Sequence, residues 1–243
     1  MSSRYIILLA LAFLLLGCSA RPSPKDVLLR SLEKSEKLSS LSTELEMNLT
    51  SVSSGVPTSA SALVTQYLSK NRMRADMNIS GVPGFEGIEL RAYTLENGSY
   101  ICGKTAQWDC IPMNSTSQLG EAEAASGPMA FSQRSRKLLN ADALEFLSGV
   151  ESREAIGRKC SFVSARINYT KAREAEPGLF PEGVKNAQMS QCLDEETGIA
   201  LTGNLVVEEN TDNEGIVVSQ LEFAVIRFEP NQPIPEETYS LPK

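Results

Sequence analysis

The chain has 243 residues, 23 basic against 30 acidic, a formal charge of −7 and no histidine. Without a basic block to neutralise phosphates, nucleic acid is not an expected partner, and without an imidazole Ser-His-Asp, Cys-His and zinc-His chemistries are excluded. The length suits one domain with a sizeable core.

Residues 1–18 come first. Arg4 precedes an apolar run from Tyr5 to Leu16, 12 residues in all, too short to cross a bilayer and suited to the h-region of an export signal. The run stops at Leu15-Leu16-Gly17-Cys18, which resembles the lipobox of a lipoprotein signal. That resemblance implies a signal peptide over 1–17 and a lipid on Cys18. Residues 18–22 become a lipidated tether and 23–243 a single domain, lipid-anchored at the extracytoplasmic face of a cell membrane. Loss of Arg4 makes the mature chain more acidic still, so attachment must come from the lipid rather than from charge.

Ser23-Pro24-Lys25-Asp26 supplies an N-cap hydroxyl, a proline for the first helical position and an acid in the first turn. Val27, Leu28, Leu32, Ser35, Leu38 and Leu41 recur every three or four residues, predicting an amphipathic helix of about five turns. From Thr43 the period becomes two: Leu45, Met47 and Leu49 face one way, Glu44, Glu46 and Asn48 the other. A Ser/Gly/Pro loop at Ser53–Ser59 precedes a strand over Ala60–Ser69, a turn at Lys70-Asn71, and a strand with Met73, Ala75, Met77 and Ile79 on one face. A strand over Ile88–Leu95 leads into Asn97-Gly98, a strong hairpin signal, then Ser99–Cys102, a turn at Gly103-Lys104 and a return through Trp108–Ile111.

Alternation stops between Asn114 and Val150, where two short helices are predicted over Ser115–Phe131 and Ser135–Leu147. Strands resume over Arg158–Tyr169, Ala187–Leu193, Ile199–Glu208 and Ile216–Glu229, with a Pro/Gly-rich excursion before Gly183 and turns at Asp194–Gly198 and Asn210–Gly215. The proline-rich stretches Phe228–Pro235 and Tyr239–Pro242 of the tail are expected to be extended. Besides Cys18 there are four cysteines, an even number that reads as disulfides in an exported chain. Three pairings exist; Cys102 and Cys110 lie on opposite arms of one hairpin and Cys160 and Cys192 on successive strands, which favours those two bridges.

The sequence Cys192-Leu193-Asp194-Glu195-Glu196-Thr197-Gly198-Ile199-Ala200-Leu201 and the closing Phe228-Glu229, Asn231, Pro233-Ile234-Pro235, Glu237, Tyr239 and Leu241-Pro242 follow a lipobox, a helix and a run of strands. In that order they resemble the LolA/LolB-like superfamily of lipoprotein carriers. The resemblance implies an α+β fold, a curved antiparallel sheet or incomplete barrel covered by the N-terminal helix and the helical insertion. It also implies an apolar cavity for acyl chains or a lipidated peptide. Lining would come from Leu45, Met47, Leu49, Met73, Met77, Leu90, Phe131, Leu138 and Phe146, methionines suiting irregular ligands because they repack.

Five Asn-x-Ser/Thr sequons, at Asn48, Asn78, Asn97, Asn114 and Asn168, are candidate N-glycosylation sites. Acidic neighbours such as Glu195-Glu196 point to opposite faces of a strand and do not converge. There is no nucleophile motif, phosphate loop or dinucleotide fingerprint. The reading is therefore a monomeric, membrane-anchored lipid- or lipoprotein-binding protein, not an enzyme, with no cofactor and no metal. The alternative is a structural or adhesive surface glycoprotein that uses the sheet as a scaffold.

Overall fold

A computed structural model describes residues 22–69, 71–81, 87–113, 135–175, 183–211 and 215–242. The leader, Cys18, Asn114, Phe131 and the helix expected over Ser115–Phe131 lie outside the described residues.

Helix α1 (Pro24–Ser35) starts where the sequence places it. Ser23 Oγ accepts the Asp26 N–H at 3.1 Å, Pro24 occupies a position whose N–H would have no helical partner, and Asp26 sits at the positive end of the dipole. Val27, Leu28, Ser31, Leu32 and Ser35 are its buried face. The helix has 12 residues, fewer than the spacing predicts. Leu38 falls in the turn that follows, its N–H donating to Ser35 O. Leu41 leaves the helix because the chain from Ser40 or Leu41 onwards is paired on both sides, those ladder bonds replacing helical ones.

Twelve strands form one antiparallel sheet. They are β1 (Ser40–Ser53), β2 (Val56–Ser69), β3 (Arg72–Ser80), β4 (Ile88–Leu95), β5 (Gly98–Lys104), β6 (Trp108–Met113), β7 (Leu144–Phe146), β8 (Glu151–Ala155), β9 (Arg158–Ile167), β10 (Val184–Asp194), β11 (Ala200–Thr211) and β12 (Gly215–Pro230). Their order is β6-β5-β4-β3-β2-β1-β12-β11-β10-β9-β7, with β8 also on β9, so the described sheet does not close on itself. β1 pairs with β12 from Leu41 opposite Pro230 to Ser53 opposite Val217, which places the two ends of the domain side by side in mid-sheet.

Several local expectations are corrected. The loop expected over Ser53–Ser59 is a two-residue turn, Ser54 (φ 51°) and Gly55 (φ 79°), whose paired positive φ values match the twist of a hairpin. Pro57 therefore lies inside β2, in a stretch paired with β1 alone, where a missing donor is tolerated. The helix expected over Ser135–Leu147 covers only 135–140. It ends in a left-handed residue, Asp142 (φ 52°), with Ala143 N–H donating to Leu138 O and Asp142 N–H to Leu139 O, the Schellman pattern. Leu144 and Phe146 then belong to β7, opposite Ile167 and Ala165. β8 and a short helix α2 (Tyr169–Ala175) were not expected. Between the two tail stretches expected to be extended, Glu236–Tyr239 makes one 3-10 turn, which takes in Tyr239.

The core gathers on one face of the sheet. Val27, Leu28 and Leu32 of α1 join Leu45, Val64, Val163, Met189, Leu193 and Val225, with α1 lying over β9 and β10. Both favoured disulfides are present, Cys102–Cys110 joining β5 to β6 and Cys160–Cys192 joining β9 to β10. On the opposite, outer face Arg side chains lie over rings: Arg72 over Tyr239, Arg91 over Trp108 and Arg153 over Phe162.

Candidate functional site

Strand register turns the predicted lining into rows. Leu45 lies opposite Val64, Val64 opposite Met77 and Met77 opposite Leu90. Met47, Ala62, Ile79 and Ile88 form the next row, and Leu41, Leu68 and Met73 one on the other side. Leu45 also faces Val225, and Met47 faces Phe223, across β12. Alternation along each strand keeps all of these side chains on the core face. Leu138, from the helical residues 135–140, and Phe146 of β7 pack into the same core.

Burial across this face is graded. Leu45 is 0% and Val64 1% exposed, whereas Leu49, toward the β1–β2 turn, is 47% exposed. Met47, Met73, Met77, Ile79, Ile88 and Leu90 lie between, half-buried. The face is thus closed core near Leu41 and partly open apolar surface near Leu49. Half-buried methionines and isoleucines on one continuous sheet face can accept an acyl chain without rebuilding the core, because only the partly exposed side chains need to repack.

Three buried polar residues interrupt the apolar rows: Gln191, Thr43 and, opposite Thr43 on β2, Gln66, which is 2% exposed. Gln191 on β10 is 1% exposed, and its Nε2 donates to Ser135 Oγ at 3.3 Å, tying residues 135–140 to the sheet. Thr43 on β1 is also 1% exposed. Gln191 Oε1 and Thr43 Oγ1 have no hydrogen-bond partner among the described residues. None of these stands out in the amino-acid pattern, since Gln and Thr at strand positions read as solvent-facing.

The aspartate-led turn at 194–198 locks α1 to the sheet. Asp194 is 2% exposed and accepts from Arg158 Nε at 2.8 Å and Nη2 at 2.9 Å, from Thr197 N–H at 2.8 Å and from Thr197 Oγ1 at 2.6 Å. Burial alone would push this carboxyl up, but the Arg158 and Thr197 hydrogen bonds outweigh it and hold it below the usual carboxylate range. Glu196 does not converge with Glu195; it reaches Arg158 Nη2 at 2.6 Å. Lys34 of α1 donates to the Glu195 carbonyl.

Of the described sequon asparagines, Asn48, Asn78 and Asn97 are exposed and Asn168 is half-buried. Asn168 caps α2, its Oδ1 accepting the Lys171 N–H at 3.2 Å. Asn48 and Asn78 each line a groove. One, of about 280 Å³, includes Asn48, Phe162, Asn204 and Glu222. The other, of about 150 Å³, includes Asn78, Asp76, Glu89, Arg91 and Trp108.

No protein-family model and no curated protein matches the chain. Among solved structures it is similar to a DUF1329 family protein from Desulfovibrio piger, at 11% identity over 89% of this chain and 95% of that one, TM-score 0.37. It is also similar to a putative outer membrane lipoprotein-sorting protein domain from Vibrio parahaemolyticus, at 6% identity over 88% and 95%, TM-score 0.34. A LolA superfamily protein from Nitrosomonas europaea is similar at 7% identity over 90% and 98%, TM-score 0.35. Likeness at TM-scores below 0.5 says nothing of what the apolar face binds. Among the described residues no helix is long and apolar enough to cross a membrane.

Proposed function

We propose that the protein holds an acyl-chain-bearing ligand, a lipid or a lipidated peptide, on the core face of its open sheet, and that it does so while anchored through Cys18 on the extracytoplasmic side of a membrane. The carrying observation is the graded apolar face, along which exposure rises from Leu45 at 0% to Leu49 at 47%. A sheet that served only as a scaffold would gain stability by closing that face, because each apolar side chain left half in water forfeits about 1 kcal/mol of burial. The short tether, at most about 3.5 Å per residue, keeps the domain near its own membrane, so the role is that of a fixed receiver or holder rather than a diffusing shuttle. The sequence resemblance to the LolA/LolB-like carriers supports the same reading, and the lack of a histidine or a nucleophile motif supports a non-enzymatic role.

Mass spectrometry of the protein extracted from membranes in mild detergent tests this. A stoichiometric lipid or lipopeptide that survives gel filtration is expected, beyond the anchor on Cys18. A protein that carries the anchor alone overturns the reading. The alternative, a surface glycoprotein whose sheet is a scaffold, is favoured by the exposure of Asn48, Asn78 and Asn97; it predicts glycans and no extractable ligand.

A further inference from the structure

The sequon Asn78-Ile79-Ser80 ends β3, and Asn78 opens into the smaller outer-face groove, a trough of about 150 Å³ that also takes in Leu63, Asp76, Glu89, Arg91 and Trp108. Pairing explains why these meet. Asn78 lies opposite Glu89, and Asp76 opposite Arg91; Glu89 is bridged to Lys104 at 2.8 Å, and Lys104 lies opposite Trp108. The chain's one tryptophan is thereby carried from an outlying strand to the neighbourhood of a sequon. The larger groove also combines a sequon asparagine, Asn48 of Asn48-Leu49-Thr50, with an aromatic residue, Phe162, in its lining.

A trough that combines an indole, a leucine, two carboxylates and a guanidinium has the chemistry of a sugar seat. Arg91 already covers one face of the Trp108 ring, 4.2 Å from its centroid, and Asp76 and Glu89 are bridged to Arg74 and Lys104. The C–H face of a pyranose therefore packs on Leu63 and on the part of the indole that Arg91 leaves open, while its hydroxyls donate to the remaining lone pairs of these carboxylates. At about 30 Å³ per water the trough has room for about five waters, roughly one pyranose ring. We propose that Asn78 is N-glycosylated during export and that its first sugar folds back into this trough against Trp108.

The transfer balances without a redox partner. Asn78 Nδ2 attacks the anomeric carbon of a polyprenyl-phosphate-linked sugar; a C–N bond forms and the anomeric C–O bond breaks. The polyprenyl phosphate leaves with the electron pair and the amide gives up one proton. The step precedes folding: once β2 and β3 pair, the sequon hydroxyl, Ser80 Oγ, lies 2.8 Å from Ser61 Oγ and is already engaged. In the extended, unpaired chain Asn78 and Ser80 lie on the same side, within reach of one transferase site.

The test uses the full protein from its native membranes. Peptide mapping reads the segment 75–91, and Trp108 emission and acrylamide quenching are compared in native protein, N78Q and S80A. The second variant deletes the sequon but leaves Asn78 in place. A glycan mass on Asn78, with Trp108 emission shifted to the red and quenched faster in both variants, is expected. An unmodified segment 75–91 overturns the proposal, whether or not free oligosaccharide binds the trough, and so does a glycan whose removal leaves Trp108 emission and quenching unchanged.

Discussion

Gly198 lies directly against the backbone of Ser31: a Cβ added to it would fall 2.0 Å from the Ser31 carbonyl oxygen, and its φ is +76°. Space and conformation both demand glycine, so α1 docks on the 194–198 turn by main chain rather than by side chains. Replacing Gly198 with alanine adds overpacking against a helix to a left-handed backbone, together about 2–4 kcal/mol. Urea denaturation of the domain should show that loss, and tryptic cleavage at Arg30 or Lys34 in α1 should accelerate. A variant as stable and as protease-resistant as the parent would mean that α1 does not sit on this turn.

The Asp194 cluster sets an acid limit. Its carboxyl titrates lower in the folded chain than in the unfolded one, so the folded state binds fewer protons there. The stability it contributes is full above the unfolded value of about 3.9 and drains away as pH falls through the folded one. Thermal melts should therefore be flat with respect to this group from neutral pH down to about pH 5 and then fall more steeply in the parent than in D194N. D194N itself should cost about 3 kcal/mol at pH 7, because it leaves the Arg158 guanidinium without its buried counter-charge. An identical acid limb in both proteins would show that Asp194 is not the group responsible.

The two disulfides should differ in worth. Cys160–Cys192 closes a loop of 32 residues and Cys102–Cys110 one of 8, so chain entropy assigns about 3.7 and about 2.5 kcal/mol to them. The paired alanine replacements, C160A/C192A and C102A/C110A, should lower the urea midpoint in that order. The reverse order would mean that local geometry at the β5–β6 edge outweighs loop entropy.

What the residues disclosed on their own were the features with a local cause. Ser23-Pro24 marks a helix start by chemistry, Leu45, Met47 and Leu49 mark a strand by period, and the arms of the 102–110 hairpin favour one bridge. The features that escaped depend on partners distant in sequence. Leu38 and Leu41 continue a helical spacing, but the pairing of β1 with both β2 and β12 takes Leu41 out of α1 and leaves Leu38 in the turn before the strand. Leu144 and Phe146 fit a helix as well as a strand until β9 offers Ile167 and Ala165 opposite them. The β8–β9 turn was hidden because Ile156, φ 48°, occupies a position where Asn or Gly is the usual signal. On the candidate face the rows were legible from alternation; Gln191 was not, since only the folded chain buries it against Ser135.

Gly203 and Phe223 form a cross-strand pair on the core face, and a Cβ on Gly203 would fall 2.3 Å from the Phe223 ring. The ring occupies the space the glycine vacates, a common way to protect a bare strand position. G203A should lose about 1–3 kcal/mol by overpacking. Adding Phe223→Leu should return part of it, a coupling a double-mutant cycle reads directly. Additive losses would show that the two residues do not share the space.

Leu49 separates ligand surface from core. At 47% exposed it contributes less to the folded state than Leu45, which lies four residues back on the same face and is 0% exposed. Leu49→Ser should cost only about 1 kcal/mol, for the half of the side chain that is buried, yet reduce the lipid that co-purifies, because it places a hydroxyl where an acyl chain would lie. Leu45→Ser should instead destabilise the domain by about 3 kcal/mol or more through a cavity and a buried hydroxyl. Lipid recovered per folded protein is the deciding measurement. If Leu49→Ser keeps the parent's full complement, the partly open end of the face is not where the ligand sits, and the holding surface must be sought nearer the row of Met77 and Leu90.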